Sequence, residues 1–380
     1  MWKLRFIELV MVKNIAKIIT SPKVFVYTLA WLMVLVLFGT IAQKDIGLYA
    51  SQMKYFSSYF FMFLSFIPLP GGRLVLIIMT INLFASFFKN YLWKVKKIGI
   101  IIVHVGGLML LFGGGLTALF SSEGNMVIEE GDEANYVDDY HEMELVFANT
   151  SLEDSIEYTV FDSPILNDGS RIKHPINNLE IYVISHIKNV RIERRISPAD
   201  SIYKGLLKEF VLLPRKLEKE NEQNRPAIIY KLTGADQNDD GVYGLFLGQG
   251  LKDTLRINGD EYYAEFRRKR TYLPFEIELL DFKKVMHPGT NVAKSYSSEI
   301  NLIENEIPRR SIIKMNEPLR HKGYTFYQAS FVDDREKETT VLAAVKNYGR
   351  LFPYISSIVM SIGLLMHLLI NLPILIKKRK

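Results

Sequence analysis

His104 stands inside VHVGGLMLLFGGG, residues 103–115, a run otherwise suited to the interior of a lipid bilayer. An imidazole in hydrocarbon needs a hydrogen-bond partner or a metal to bind. At helical spacing Gly107, Leu111 and Gly114 share its face, and the glycines leave room beside the ring. Two chemistries fit this pattern. In one, Gly106, Gly107, Gly113, Gly114 and Gly115 allow a neighbouring helix to pack closely, and His104 hydrogen-bonds across the interface. In the other, the gap admits a flat ligand and His104 ligates a metal or a haem iron.

Other side chains offer weaker chemistry. His367 lies in a later apolar run, about 13 Å from its basic end, against about 9 Å for His104, at 1.5 Å per residue. Two histidines at similar depth could ligate one iron from opposite sides, or be unrelated. Arg73, after Pro70-Gly71-Gly72, is a lone cation that could snorkel or hold a carboxylate such as a haem propionate. His141, His174, His186, His287 and His321 are scattered, without paired metal-ligand spacing, and His174-Pro175 and His287-Pro288 read as turns. The acidic stretch EGDEANYVDDYHE reads as a solvated loop, with a cation site as the alternative. No nucleophile elbow, phosphate loop or dinucleotide fingerprint appears. With no cysteine, the chain can form no disulfide, thiolate metal site or thiol nucleophile.

The elements that position these residues follow from hydropathy. Of the 380 residues 48% are hydrophobic, and they concentrate near the two ends. Spans are expected at Val24–Ala42, Leu74–Phe88, Ile98–Leu119 and Pro353–Ile376. The second reaches spanning length if Pro70-Gly71-Gly72 lies at the interface. Gly39-Thr40-Ile41-Ala42-Gln43 reads as the termination of the first. The net charge of +6 sits largely in short basic clusters beside these runs, a topology signal rather than a nucleic-acid surface. Lys3, Arg5, Lys13, Lys17 and Lys23 precede the first span; Lys89, Lys94, Lys96 and Lys97 lie between the second and third; Lys377, Lys378, Arg379 and Lys380 follow the fourth. The positive-inside rule puts all three clusters in the cytoplasm, with both termini inside and the segment from Phe120 to Arg350 outside. The first residues are too polar for a secretory signal, so the first span is expected to be a retained anchor.

The expected organisation is therefore a membrane protein with four transmembrane α-helices and a large, mainly β extracytoplasmic domain between the third and fourth spans. Residues 1–23 form an amphipathic cytoplasmic N-terminus, with Trp2, Leu4, Phe6, Ile7, Val10, Ile15 and Ile18 at roughly helical spacing. Residues 24–119 are the first three spans, with an aromatic outer loop at 43–73. In that loop YFSSYFFMFLSFIPLPGG reads as an interfacial or re-entrant helix, or as an aromatic belt. Residues 120–350 are the outer domain, a sandwich or open barrel built from runs such as IEYTVF, LEIYVISHI and FEIELLDF. They are separated by turn clusters such as NDGS, DQNDDG, INGD and HPGT. PADSIYKGLLKEFVLLPRKLEKENEQNRP reads as a helical insertion or a mobile loop. Residues 351–380 are the fourth span and a basic tail.

The order of these features resembles the ResB (also called CcsB) family of cytochrome c biogenesis proteins. FGTIAQKDIGLYASQMKYFSSYF, PLPGGRLVLIIMTINLFASF and KIGIIIVHVGGLMLLFGGGLTALFSSEGNMVIEEGD carry the resemblance in the first third. LPFEIELLDFKKVMHPGTNVAKSYSSEINLIE and EPLRHKGYTFYQASF carry it late in the outer domain, and residues 190–260 match least. The resemblance implies a subunit of a haem-exporting cytochrome c synthase in a bacterial inner membrane, not a self-contained enzyme. It implies a CcsA-type partner with a tryptophan-rich motif, and an apocytochrome c whose CxxCH motif receives haem b. It matches His104 to an intramembrane haem ligand, beside Gly107 and Gly114. It implies a structural role for His367, since the family's second intramembrane histidine lies in the partner. This chain has only Trp2, Trp31 and Trp93, so the tryptophan-rich motif must come from elsewhere. Against this stand a membrane-anchored assembly scaffold and a transporter accessory subunit, neither with a haem ligand of its own.

Overall fold

The computed structural model describes residues 14–90, 97–151, 155–173, 179–236, 238–250, 253–290, 293–333 and 337–379. They fall into two compact units, Met1–Ser121 with Lys346–Lys380, and Ser122–Val345. The expected amphipathic positions Trp2 to Val10, and the His174-Pro175 turn, lie outside the described residues.

The first unit holds four helices long and apolar enough to cross a membrane: Pro22–Ile46, Gly72–Lys89, Ile98–Phe120 and Phe352–Pro373. Residues 14–19 form a short helix, α1. Ser21 caps the next helix, α2 (Pro22–Ile46), with Pro22 in its first turn. This helix does not end at Gly39-Thr40 but runs on to Ile46. Gly39 serves close approach instead: a Cβ there would sit 2.7 Å from the Phe56 ring, and its carbonyl accepts from Ser51 Oγ at 2.6 Å. Ser51 belongs to a short helix, α3 (Leu48–Tyr55).

The aromatic loop forms no interfacial or re-entrant helix after α3. After α3 it forms a hairpin, β1 (Phe60–Phe63) with β2 (Ile67–Pro70), turning at Leu64 and Ser65 with φ of 52° and 68°. Pro68 and Pro70 forbid a helix there. Phe61 packs with Leu35 and Val75, and Trp31 Nε1 donates to the Pro70 carbonyl at 2.9 Å. In α4 (Gly72–Asn90) the buried Asn82 donates to the carbonyls of Ile19 and Ser21, and Ser86 donates to that of Thr20. The Ile19 and Thr20 carbonyls stand at the end of α1, where the helix supplies no partner, while that of Ser21 also accepts from Val24 N.

The second unit is mainly β. A large sheet runs β15-β14-β13-β4-β3-β18-β17-β16, with β12 beside β13 and β5 beside β4. The ranges are β3 Ser122–Glu129, β4 Glu133–Asn149, β5 Glu157–Asp162, β12 Asp253–Ile257, β13 Asp260–Met286 and β14 Ala293–Glu304. The remainder are β15 Ile307–Lys314, β16 Leu319–His321, β17 Tyr324–Asp333 and β18 Glu338–Lys346. A second sheet runs β11-β10-β7-β6, with β6 Arg171–Lys173, β7 Glu180–Ile187, β10 Ala227–Thr233 and β11 Gly241–Phe246. The sheets face each other as a sandwich over Leu145, Phe147, Ile181, Val183, Ile228, Tyr230, Leu245 and Phe266. Farther along β13, Ile277, Leu279, Ile300, Leu302, Ile313 and Phe326 form another core within the large sheet. At 27 residues β13 serves both cores. Its first half pairs with β4 and β12 and its second with β14.

Two outer-domain expectations need correcting. The charged stretch after Pro198 contains no α-helix among its described residues. It carries short 3-10 turns at Gly205–Lys208 and Asn221–Gln223 and the strand β9 (Phe210–Pro214), paired with β8 (Val190–Arg194). Leu207 and Leu212 are buried in a small core with Ile187, Val190, Ala227 and Val242, so tertiary burial overrides helical charge spacing. The acidic stretch is mostly strand β4 rather than a loop: Ala134 and Val137 are buried in a core, while Asp138 and Glu142 meet Arg270 and Lys269 of β13.

Candidate functional site

Helix α5 (Ile98–Phe120) carries no charged residue, and it packs against α6 (Phe352–Arg379). The seam is glycine at every seventh position. A Cβ on Gly99 would strike the His367 backbone, one on Gly106 the Met360 side chain, and one on Gly113 the Phe352 side chain. On α6, Gly363 answers with equal intimacy against Val103. Lipid gives apolar side chains no reason to leave it, so contact depends on backbones coming close.

His104 lies about 160° around α5 from Gly106. Its Nδ1 is 2.8 Å from the carbonyl oxygen of Ile100, one turn back. A carbonyl only accepts, so Nδ1 carries the proton and Nε2 is the nitrogen with a lone pair suited to a metal. The glycines on this side behave differently from those of the seam. A Cβ on Gly107 would meet only Leu83 Cδ2, at 3.7 Å, and one on Gly114 or Gly115 would meet nothing within 4 Å. The helix thus presents a half-buried imidazole beside open backbone. That arrangement fits the edge of a flat ligand with one axial nitrogen from this chain.

The structure does not bring the other sequence candidates to His104. His367 faces Gly99, about 7.5 Å back along α5, on the seam side. Backbone contact there leaves no space for a macrocycle between the helices. Its ring takes a hydrogen bond from Asn371 Nδ2, 3.0 Å from Nδ1. The shared depth inferred from each helix's basic end fails because α6 is longer than its apolar run. Arg73 lies at the start of α4, its guanidinium 5.5 Å from the Tyr59 ring centroid. Leu83 marks the level of Gly107, so Arg73 is roughly 20 Å from His104 along the bundle by helix rise. In the second unit, His287 opens the expected turn, its carbonyl accepting from Thr290 N at 3.1 Å. No cluster of three or more metal-ligating side chains occurs among the described residues.

One group escaped the sequence reading. Arg267, Arg268, Lys269 and Arg270 follow one another on β13 where the two cores meet. Arg267 is buried and pairs with buried Glu144 at 2.8 Å. Lys269 reaches Asp162 at 2.9 Å and Glu142 at 3.3 Å. Arg270 pairs with Asp138 at 3.2 Å and stacks on Tyr136 at 4.2 Å. Burial raises the Asp138 carboxyl above its ordinary range, against the pull of Arg270. The signal was there in FRRKR: in a strand, alternate members of a cation run must turn inward.

Residues 248–350 match the model of the ResB-like family. That stretch is ResB-like. It is β structure of the second unit, from β12 through β18. Over 295 residues, 77% of this chain, it is 23% identical to Protein NrfI of Wolinella succinogenes. The chain spans less than a third of that relative, 29% of its length. The β13 cations and His321 fall inside the family-matched stretch, and α5 falls outside it.

Proposed function

We propose that this ResB-like chain is a membrane subunit of cytochrome c biogenesis. With a CcsA-type partner it moves haem b, as cargo, across the bacterial inner membrane for attachment to the CxxCH motif of an apocytochrome c. Both chain ends lie on the cytoplasmic side in this reading, beside the basic clusters, and the β unit lies outside. The observation that carries the proposal is His104. Its Nδ1–H is held by the Ile100 carbonyl, its face is glycine, and that face is turned away from the α6 seam. His104 supplies one axial imidazole, Gly107 and Gly114 the space beside it. The second axial ligand and the tryptophan-rich surface belong to the partner. Arg73 and His367 take no part at this iron. The client provides both thiols, since this chain has no cysteine.

The test is an absorption spectrum of the chain purified in detergent with its CcsA-type partner. Bis-histidine haem should appear in the wild type, vanish in His104→Ala and return on adding imidazole. His367→Ala should keep the spectrum. Equal haem in wild type and His104→Ala would leave His104 with a packing role and favour the assembly-scaffold reading.

A further inference from the structure

The side of β13 away from β4 is occupied at both ends and open between them. β12 covers residues 260–264 and β14 covers 276–286. Among the described residues no strand lies beside Arg267–Leu273 on that side, although β4 pairs with much of the same stretch on the other. Pro274, which has no N–H, closes the open length. In an antiparallel ladder alternate residues send N–H and C=O to each side, so this stretch offers main-chain groups to an incoming strand.

A cavity of ≈ 220 Å³ lies at this opening, lined by Leu245, Gly248, Gln249, Phe266, Arg268 and Arg270 among others. Counted over all its lining residues, it holds three arginines against two carboxylates, Asp138 and Glu265. Two of the arginines are committed, Arg267 to Glu144 and Arg270 to Asp138. Arg268 is not: its Nη1 donates to the Asp139 and Tyr140 carbonyls, and among the described residues it has no carboxylate in ion-pair contact. Gln249 Oε1 is shielded from solvent with no hydrogen-bond partner among the described residues. A buried acceptor in that state calls for a donor. The cavity therefore asks for a guest with a carboxylate and an N–H close together, beside an unpaired strand edge. A bare anion meets only the first demand.

We infer that the open edge of β13 at Arg267–Leu273 binds an extended acidic peptide of a partner protein by strand addition. The guest's main chain pairs with the edge and one of its carboxylates lies opposite Arg268, the arginine without an ion-pair partner among the described residues. Gln249 Oε1 takes an N–H from the same peptide. The inference goes beyond the haem reading and stands without it.

The test uses the full chain in a neutral detergent and a blocked, fluorescent peptide of alternating valine and glutamate. Saturable binding should slow hydrogen exchange at residues 267–272. Replacing the glutamates by glutamine, or Arg268→Gln in the protein, should weaken binding about ten-fold, the worth of one charge-assisted hydrogen bond. Methylating alternate peptide amides should weaken it at least as much, with no change to the protein. Glutamine peptide binding as well as glutamate peptide would overturn the carboxylate assignment. Equal binding of the methylated peptide, or competition by free acetate at matched concentration, would replace strand addition by a simple anion site. No saturable binding would overturn the inference outright.

Discussion

Helix α5 and strand β13 each carry polar groups among apolar neighbours, yet they satisfy those groups in different ways. His104 is satisfied from its own helix, by a carbonyl four residues away. Arg267 and Arg270 are satisfied by Glu144 and Asp138, more than a hundred residues distant. A group with a local partner keeps it in any state that keeps the helix, so its loss should cost the fold little. A buried charge with a distant partner depends on the whole tertiary structure, so its loss should cost the fold heavily.

Arg267→Met tests the heavier side of this comparison. It leaves Glu144 buried and unpaired, and should destabilise the β unit by about 3–5 kcal/mol in denaturant unfolding. Adding Glu144→Leu should recover most of that loss, since an apolar pair needs no compensating charge. If the single variant unfolds like wild type, the ion pair is not structural and the contrast with α5 collapses. Gly106→Val comes next. It drives a side chain into Met360 and the α6 backbone and should lower thermal stability in detergent by about 1–3 kcal/mol.

Acid should weaken the β unit. Burial holds the His186 and His141 rings below the ordinary histidine range, against the pull of Asp168 and Asp139 respectively. The folded chain thus prefers the neutral rings, and protons bind better to the unfolded chain. This contribution is complete above about pH 6.5 and is lost as pH falls through the ordinary histidine range. Asp138, raised by burial, acts with the opposite sign, favouring the folded form at low pH. Comparing unfolding midpoints of His186→Gln and wild type across that range isolates the histidine part. An identical pH slope in both would show that His186 is not desolvated by folding.

His104→Ala should change the melting of the purified chain by no more than about 1 kcal/mol, the net worth of one hydrogen bond. It should do so while abolishing the haem spectrum. A loss as large as that of Arg267→Met would make His104 a packing residue. Gly114→Ala should cost no stability, because a Cβ there meets nothing within 4 Å. A measurable loss would mean that the two glycine faces of α5 are not distinct.

The four apolar helices, the β character of the second unit and its Asn258-Gly259 hairpin turn were legible in the sequence, because hydropathy and turn chemistry act over a few residues. So was His104 as an anomaly, a single polar ring in an apolar run. Local signals misled where long-range packing intervened. Gly39 looked like a helix end but is a contact with Phe56, and the 198–226 charges looked helical where Leu207 and Leu212 needed a core. The acidic stretch looked solvated because its counter-cations are distant in sequence.

By itself, then, the sequence determined which segments are apolar, which alternate, and which residue types are present to do chemistry. It did not determine which face of a glycine-rich helix is covered. Gly99, Gly106 and Gly113 differ from Gly107, Gly114 and Gly115 only in what lies across from them, and α6 arrives from the far end of the chain. Nor did it determine that β13 would be paired at both ends and open in the middle, since that depends on where β12 stops and β14 starts. Both are decisions of tertiary structure, because contact between distant segments is set by what the whole chain buries together.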